Sequence, residues 1–454
     1  MTVSRDSWSG RTGFILATIG SAVGIGSIWK FPYEVGANGG SAFVLFYVLG
    51  LILIVVPLMF AEFAIGRRGG GDAATSIAAV AATHGAKRTW ALAGLVGVAT
   101  SFLILSFYSV IGGWTIAYAI DTVSNGLAGT DPDAVQARYD AFLASPLRLA
   151  VYHALFMALA AFVVARGVSG GIEIAAKILM PILGALMIGL ATYSIIEGDA
   201  ATTLRFLFTL NPQDLTARAA LEALGLGFFS VGVGLGLMIT FAAYARPNIN
   251  LTEVAVVSVL ADTAISFLAG FAVFPIVFAH GLDPAAGPGL VFVTLPLAFA
   301  DMPFGAAAAV AFFVLMFVAA LASAISMLEL SVALLLRHLR WSRRQSTIAV
   351  GSACFVTGLT SVLSFNLWAE WHPLGGFSGF AEATVFDLLD YLTSNMLLPV
   401  GGFAIALFAG WAVPVKVVVA ELGLSPAGAT LLGVLLRYVV PLGIVAVALA
   451  PLFT

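Results

Sequence analysis

Charge is what this chain has least of: 9% of its 454 residues are charged, against 61% hydrophobic. At a mean hydropathy of +1.06, so few charges cannot cover a water-soluble domain of this length, and the chain reads as an all-α polytopic membrane protein. Cysteine is almost missing too. Cys354 stands alone in an apolar run, which excludes a disulfide framework and a thiolate metal site. The five histidines form no ligand cluster, no Ser/His/Asp arrangement is evident, and no phosphate-binding Walker loop occurs. Enzymatic chemistry, an organic cofactor, a nucleic-acid partner and ATP drive are therefore not expected. Residues 1–10 are polar and lack the apolar core of a signal peptide, so the first span itself is expected to target the membrane.

Long apolar runs are what is present. They lie near 11–37, 41–66, 90–120, 148–165, 171–196, 220–245, 252–279, 305–336, 346–366, 383–412 and 426–452, about eleven spans in one transmembrane domain covering 1–454. The basic residues orient them. With the N-terminus inside, thirteen of the 20 Lys and Arg fall on cytoplasmic loops and ends, four on outer ones (Arg138, Arg148, Arg205, Arg218), and Lys30, Lys177 and Arg437 within spans. Eleven spans then put the C-terminus outside, and no twelfth span fits after Leu452.

Two spans are interrupted. In Gly20-Ser21-Ala22-Val23-Gly24-Ile25-Gly26, each glycine costs a helix about 1 kcal/mol relative to alanine, and Pro32 closes the segment. The stretch from Gly225 to Gly236 carries glycines at 225, 227, 232, 234 and 236. Two broken helices five spans apart suggest an inverted 5+5 repeat, the first half about 11–196, the second about 220–412, with an extra helix near 426–452. Close helix packing is the other reading of the second break. Broken ends expose amides that attract a carboxylate and carbonyls that attract an ammonium or Na+.

Gly24-Ile25-Gly26, Trp29-Lys30-Phe31-Pro32-Tyr33, Asn38-Gly39-Gly40 and Ala42-Phe43 together resemble the first helix and following turn of the sodium-coupled neurotransmitter and amino-acid symporters, prokaryotic amino-acid-transporter branch. The resemblance implies that the Ile25 and Gly26 amides and the Tyr108 hydroxyl hold a substrate carboxylate. Carbonyls of Ala22, Phe229 and Ser230 would hold its amino group. Ile104, Tyr108, Phe229, Gly232, Leu235, Ser323 and Met327 would form the side-chain pocket, whose apolar character favours aliphatic or aromatic L-amino acids; packing is the plainer role for Phe229 and Met327. Monoamine carriers of the family have aspartate where Gly24 stands, so an amino acid is favoured.

The same resemblance implies a first sodium site from Ala22, Ser27, Ser230, Asp262 and the substrate carboxylate, and a second from Gly20, Val23, Ala319 and Ser323. Ser27 replaces a longer asparagine, and Ala322 stands where a second hydroxyl is usual, so one or two Na+ remain open. Tyr47 and Ser266 match chloride ligands of relatives, but Leu226 replaces a glutamine and Asp262 would repel the anion; chloride independence follows. Glu62 matches a buried glutamate that braces the unwound backbone. Lys30 and Asp390 match an outer gate pair, with Tyr108 and Phe229 as the lid beneath. Arg5, Trp8 and Tyr244 resemble the inner gate, whose acidic partner is missing because Arg337 stands there; Glu329 has no assigned role. Gly171 and Pro181 match a motif where the fifth span unwinds, or mark an ordinary proline kink, and Glu173 and Lys177 are spaced to pair.

The expected function is Na+-coupled import of hydrophobic L-amino acids by alternating access, in a prokaryotic plasma membrane with the N-terminus cytoplasmic. Still open are proton coupling through Asp262 or Glu62, an osmolyte-amine carrier, and a sensor or leak channel that has lost coupling. The oligomeric state is not legible in the sequence.

Overall fold

The computed structural model describes residues 7–127, 131–284 and 290–449, and among them every regular element is helical. Among the described residues, nine uninterrupted helices are long and apolar enough to cross a membrane: Ser41–Gly69, Arg88–Asn125, Pro146–Ala165, Val168–Glu197, Leu251–Ala279, Gly305–His338, Arg343–Ser364, Val385–Ala412 and Pro426–Leu449. A tenth crossing is split into Arg11–Ala22 and Gly26–Ala37, which meet at 53°. An eleventh is split into Ala217–Val231 and Leu237–Ala243. In chain order these are spans one to eleven, with the split crossings first and sixth. Four crossings lie between them, so they run in opposite directions, as an inverted 5+5 arrangement requires.

Local chemistry sets where helices start and stop. Asn250 caps span seven by accepting from the Glu253 amide, and Ser342 with Gln345 forms a capping box at span nine. Span one breaks where Val23 turns extended, at φ −80° and ψ 106°. Span six breaks because Gly232, Gly234 and Gly236 all lie at positive φ, 70°, 90° and 79°, a conformation that costs residues with a Cβ.

Spans three and eight pack on each other through the middle of the bundle. The first half of span one lies among spans five, seven and eight, and the short half Leu237–Ala243 packs on the end of span two. Both breaks are thus enclosed by protein, which exposed backbone in a bilayer demands. The connections after spans three and five contain short helices, Pro132–Leu143 and Ala200–Phe208. Asp199 caps the latter through the Thr202 side chain and amide, bonds that hold its carboxyl below the usual range.

Candidate functional site

The two breaks meet at one cavity. The Ile25 amide donates to the Tyr108 hydroxyl at 3.1 Å, joining span one to span three where the second half-helix begins. Beside them lies a cavity of about 40 Å³, lined by all the residues expected around the substrate except Ala22. Ala22 is fully buried, ending the first half-helix instead of facing the cavity. Ser21, Leu237 and Leu398 complete the lining and were not anticipated. Leu237 follows the second break directly, and Leu398 lies eight residues after Asp390, hence on nearly the same helix face; those spacings were the available signals. Gly24 is held to glycine by space, since a Cβ there would stand 2.7 Å from Ser323 Oγ and 3.0 Å from the Tyr108 oxygen.

Below the cavity is a buried knot of oxygens. Asp262 Oδ1 accepts from Ser27 Oγ at 2.6 Å and Ser230 Oγ at 3.0 Å, while Oδ2 accepts from the Tyr47 hydroxyl at 3.1 Å. The Ser27 and Ser230 hydroxyls are 2.8 Å apart, and Tyr47 lies 3.5 Å from Ser266 Oγ. Spans one, two, six and seven each contribute. An ionised carboxylate enclosed this deeply is expensive unless paired or hydrogen-bonded, and its oxygen-only surroundings suit a hard monovalent cation.

On the other side of the first break, Ser323 Oγ lies 3.2 Å from the Val23 carbonyl and 3.4 Å from those of Gly20 and Ser21. Ala319 is one turn earlier on span eight, and Ala322 offers only a methyl. The expected second sodium set is thus brought together with a single side-chain hydroxyl.

Glu62, fully buried in span two, accepts from the Gly234 amide at 2.6 Å through Oε1, and its carboxylate lies near the Met238 and Ile239 amides. It therefore satisfies backbone freed by the break in span six. Glu62→Ala is expected to lower stability by roughly 1–3 kcal/mol, the cost of an orphaned buried donor, read as a fall in detergent melting temperature.

The two ends of the pathway differ. Toward the end opposite the arginine-rich face lies a vestibule of about 320 Å³ lined by Trp29, Lys30, Glu34, Phe386 and Asp390 among others. Tyr108 and Phe229 border both this vestibule and the cavity, so they partition them. The expected Lys30–Asp390 pair is not formed: Lys30 Nζ sits 5.0 Å over the Phe229 ring, and Asp390 Oδ1 accepts from Ser394 at 2.9 Å. Both side chains line the same wide vestibule, and their nearer partners satisfy them locally.

The arginine-rich end holds an open recess of about 950 Å³ bordered by Arg166, Tyr244, Arg337 and Arg343, with Trp8 packed against Tyr244 beside it. Trp8 is fully buried, its indole donates to the Phe241 carbonyl at 2.9 Å, and its ring packs on Phe14, Phe241 and Tyr244. Arg5 lies outside the described residues. Glu329, two turns before Arg337, is buried here: it accepts from Tyr244 at 2.8 Å and from both terminal nitrogens of Arg343 at 2.6 and 3.1 Å. The signal available was a glutamate inside an apolar helix, but its cation comes from the next span.

Gly171 and Pro181 both lie in span five. Between them Glu173, almost fully buried, accepts from the Ser9 amide at 2.8 Å and from the Ser9 hydroxyl, and pairs with Lys177 at 2.6 Å. This ties the segment carrying Trp8 to the stretch of span five expected to unwind. Glu173→Gln should raise amide exchange across residues 8–14 by about tenfold, the loss of roughly 1.5 kcal/mol expected for hydrogen bonds to a charged group; unchanged exchange would show that Ser9 contributes nothing to holding Trp8.

Two interrupted spans that meet at a small cavity beside a buried oxygen cluster are the architecture of a secondary transporter. Comparison with known proteins agrees. The sodium:neurotransmitter symporter family matches residues 5–138 and 144–369. The chain is 38% identical to the uncharacterized sodium-dependent transporter YhdH of Bacillus subtilis (strain 168), over 97% of this chain and 96% of that protein. It is 32% identical to an uncharacterized sodium-dependent transporter of Haemophilus influenzae, over 90% and 89%. The crystal structure of MhsT in complex with L-phenylalanine matches with a TM-score of 0.90 at 40% identity, covering 98% of this chain and 100% of that one. The chain belongs to the sodium:neurotransmitter symporter family, whose members are membrane transporters and not enzymes.

Proposed function

We propose that the protein is a Na+-coupled symporter that imports hydrophobic L-amino acids, independently of chloride. The observation that carries this reading is the small cavity at which the Ile25 amide and Tyr108 hydroxyl meet, joined through its lining residue Ser230 to Asp262 and Ser27. The amides of Ile25 and Gly26 take the carboxylate of the substrate. Ile104, Leu235, Leu237, Met327 and Leu398 supply an apolar wall, and MhsT, solved with L-phenylalanine, supports that side-chain class. Na+ is cargo: one ion joins Asp262, Ser27 and Ser230, and a second uses Ser323 with the Gly20 and Val23 carbonyls. Asp262 supplies the negative charge that an anion would otherwise provide.

Alternating access follows from the two ends. The vestibule at Lys30 and Asp390 faces outward; its closure brings those two side chains together over Phe229 and Tyr108. Inward opening withdraws Trp8, parts Tyr244 from Glu329 and unwinds span five between Gly171 and Pro181, freeing Ser9 from Glu173. The excess of arginine at the Trp8 end supports a cytoplasmic N-terminus, and the bacterial relatives support a prokaryotic plasma membrane.

The test is uptake of radiolabelled L-leucine, L-phenylalanine and L-tryptophan into proteoliposomes under an inward Na+ gradient, against K+, and with gluconate in place of chloride. Concentrative uptake that needs Na+ and ignores chloride is expected. Uptake driven by an acid pulse without Na+ would replace this reading by proton coupling, and saturable binding without accumulation would make the protein a sensor.

A further inference from the structure

Arg437 stands in the last span, far from the transport site, on a surface that faces lipid. Span eleven is among the least enclosed, and Arg437 itself is exposed, beside Tyr438 at 50% and Trp411 at 59% exposure. A guanidinium cannot shed its proton, and leaving it bare among acyl chains costs several kcal/mol.

The fold holds this charge in place. Spans ten and eleven each widen into a π-helical turn, Phe408–Ala412 and Leu435–Val439, and the two turns touch at Gly410, where a Cβ would stand 2.8 Å from the Leu436 carbonyl. π-turns of this kind recur at functional sites. Arg437 Nε donates to the Gly410 carbonyl at 2.8 Å, and Trp411 Nε1 donates to the Arg437 carbonyl at 3.0 Å. That reciprocal pair uses one of the five guanidinium donors. Among the described residues no acidic side chain pairs with Arg437, and its terminal nitrogens donate to no protein acceptor there.

Next to it is a cleft of about 250 Å³ between the start of Val415–Leu422 and span eleven, walled by Val415, Ala429, Gly433 and Val434 and ending at Arg437 and Tyr438. Its depth along the bundle is set by neighbours. Trp411 is the penultimate residue of span ten, and Glu421, ten residues on, pairs with Arg67 and Arg68 at the arginine-rich end of span two. An aromatic pair with an arginine at such a level is the arrangement that meets lipid headgroups.

We propose that this cleft is a phospholipid site: the terminal nitrogens of Arg437 bind the phosphate of a lipid from the leaflet on the arginine-rich side, and the Val415, Ala429, Gly433 and Val434 wall takes an acyl chain. A free phosphate ion would satisfy the guanidinium but gain nothing from an apolar wall, so a lipid is the occupant that fits both parts. A guanidinium matches phosphate by two parallel bonds, and basic pockets between membrane helices bind lipid headgroups in this way.

The test is native mass spectrometry of the detergent-purified full chain titrated with phosphatidylglycerol, using wild type, Arg437→Gln, and Val434→Trp, which fills the cleft and leaves the guanidinium intact. A one-to-one lipid adduct is expected for wild type, reduced about tenfold in both variants, with sodium-driven uptake showing that each variant is folded. Equal adduct in all three would overturn the proposal. So would inorganic phosphate raising the melting temperature of wild type but not of Arg437→Gln, because the site would then be an aqueous anion site.

Discussion

Asp262→Asn is expected to make ligand binding depend on chloride. In the wild type the carboxylate accepts from Ser27, Ser230 and Tyr47, so three hydroxyl dipoles converge on one fixed negative charge. At an effective dielectric near 20, a charge 4 Å from a cation is worth about 4 kcal/mol. An amide of the same shape keeps the packing and removes that term. Na+-dependent binding of L-phenylalanine in gluconate should therefore fall by at least about 100-fold. Chloride should restore part of it, because Tyr47, Ser230 and Ser266 would present donors to a site that has lost its anion. Scintillation proximity binding in chloride and gluconate gives the result directly. A variant that binds as wild type does in both media would remove Asp262 from the ion site, while one that is dead in both would mean that the hydroxyls cannot gather an anion.

Gly24→Asp should abolish amino-acid binding, again by more than about 100-fold. The added Cβ would stand 2.7 Å from Ser323 Oγ and 3.0 Å from the Tyr108 oxygen. The carboxylate beyond it would enter a cavity of about 40 Å³, where it would occupy the substrate's place and repel its carboxylate. Gly24→Ala separates the two effects: it carries the steric part alone and should retain weak binding if Ser323 can rotate. Competition by phenethylamine, which has the ring and amine but no carboxylate, distinguishes charge from volume. Aspartate at 24 combined with preserved L-phenylalanine affinity would mean that the carboxylate binds elsewhere.

Much of this was legible in the residues. The interruption of span one falls within the expected stretch, at Val23 between Gly20 and Gly24, and the turn in span six follows from glycines at 232, 234 and 236, whose positive φ is a local property. Lys177 and Glu173, four apart, pair as their spacing implies. The resemblance carried further, to cavity residues hundreds of positions apart that the fold does gather, Ala22 excepted. It did not reach Glu329, whose partner Arg343 lies on another helix, nor Leu398, which enters the cavity only because span ten leans over the second break. The Lys30–Asp390 pairing failed for a related reason: residues that share a vestibule need not touch, and Lys30 found a ring face 5.0 Å away.

The sequence by itself determined that this is a membrane protein of about eleven spans with two interruptions, since hydropathy, glycine and proline act through solvent and local backbone energy alone. Only the tertiary structure decided that one oxygen of Glu62 meets the amide of Gly234, that three hydroxyls from three spans converge on Asp262, and that Trp8 is buried against Phe241 and Tyr244. Such pairings depend on how far each helix is rotated and how deep it sits, and each residue of register turns a helix by about 100°. An apolar bilayer is nearly indifferent to those choices, so packing among the helices makes them.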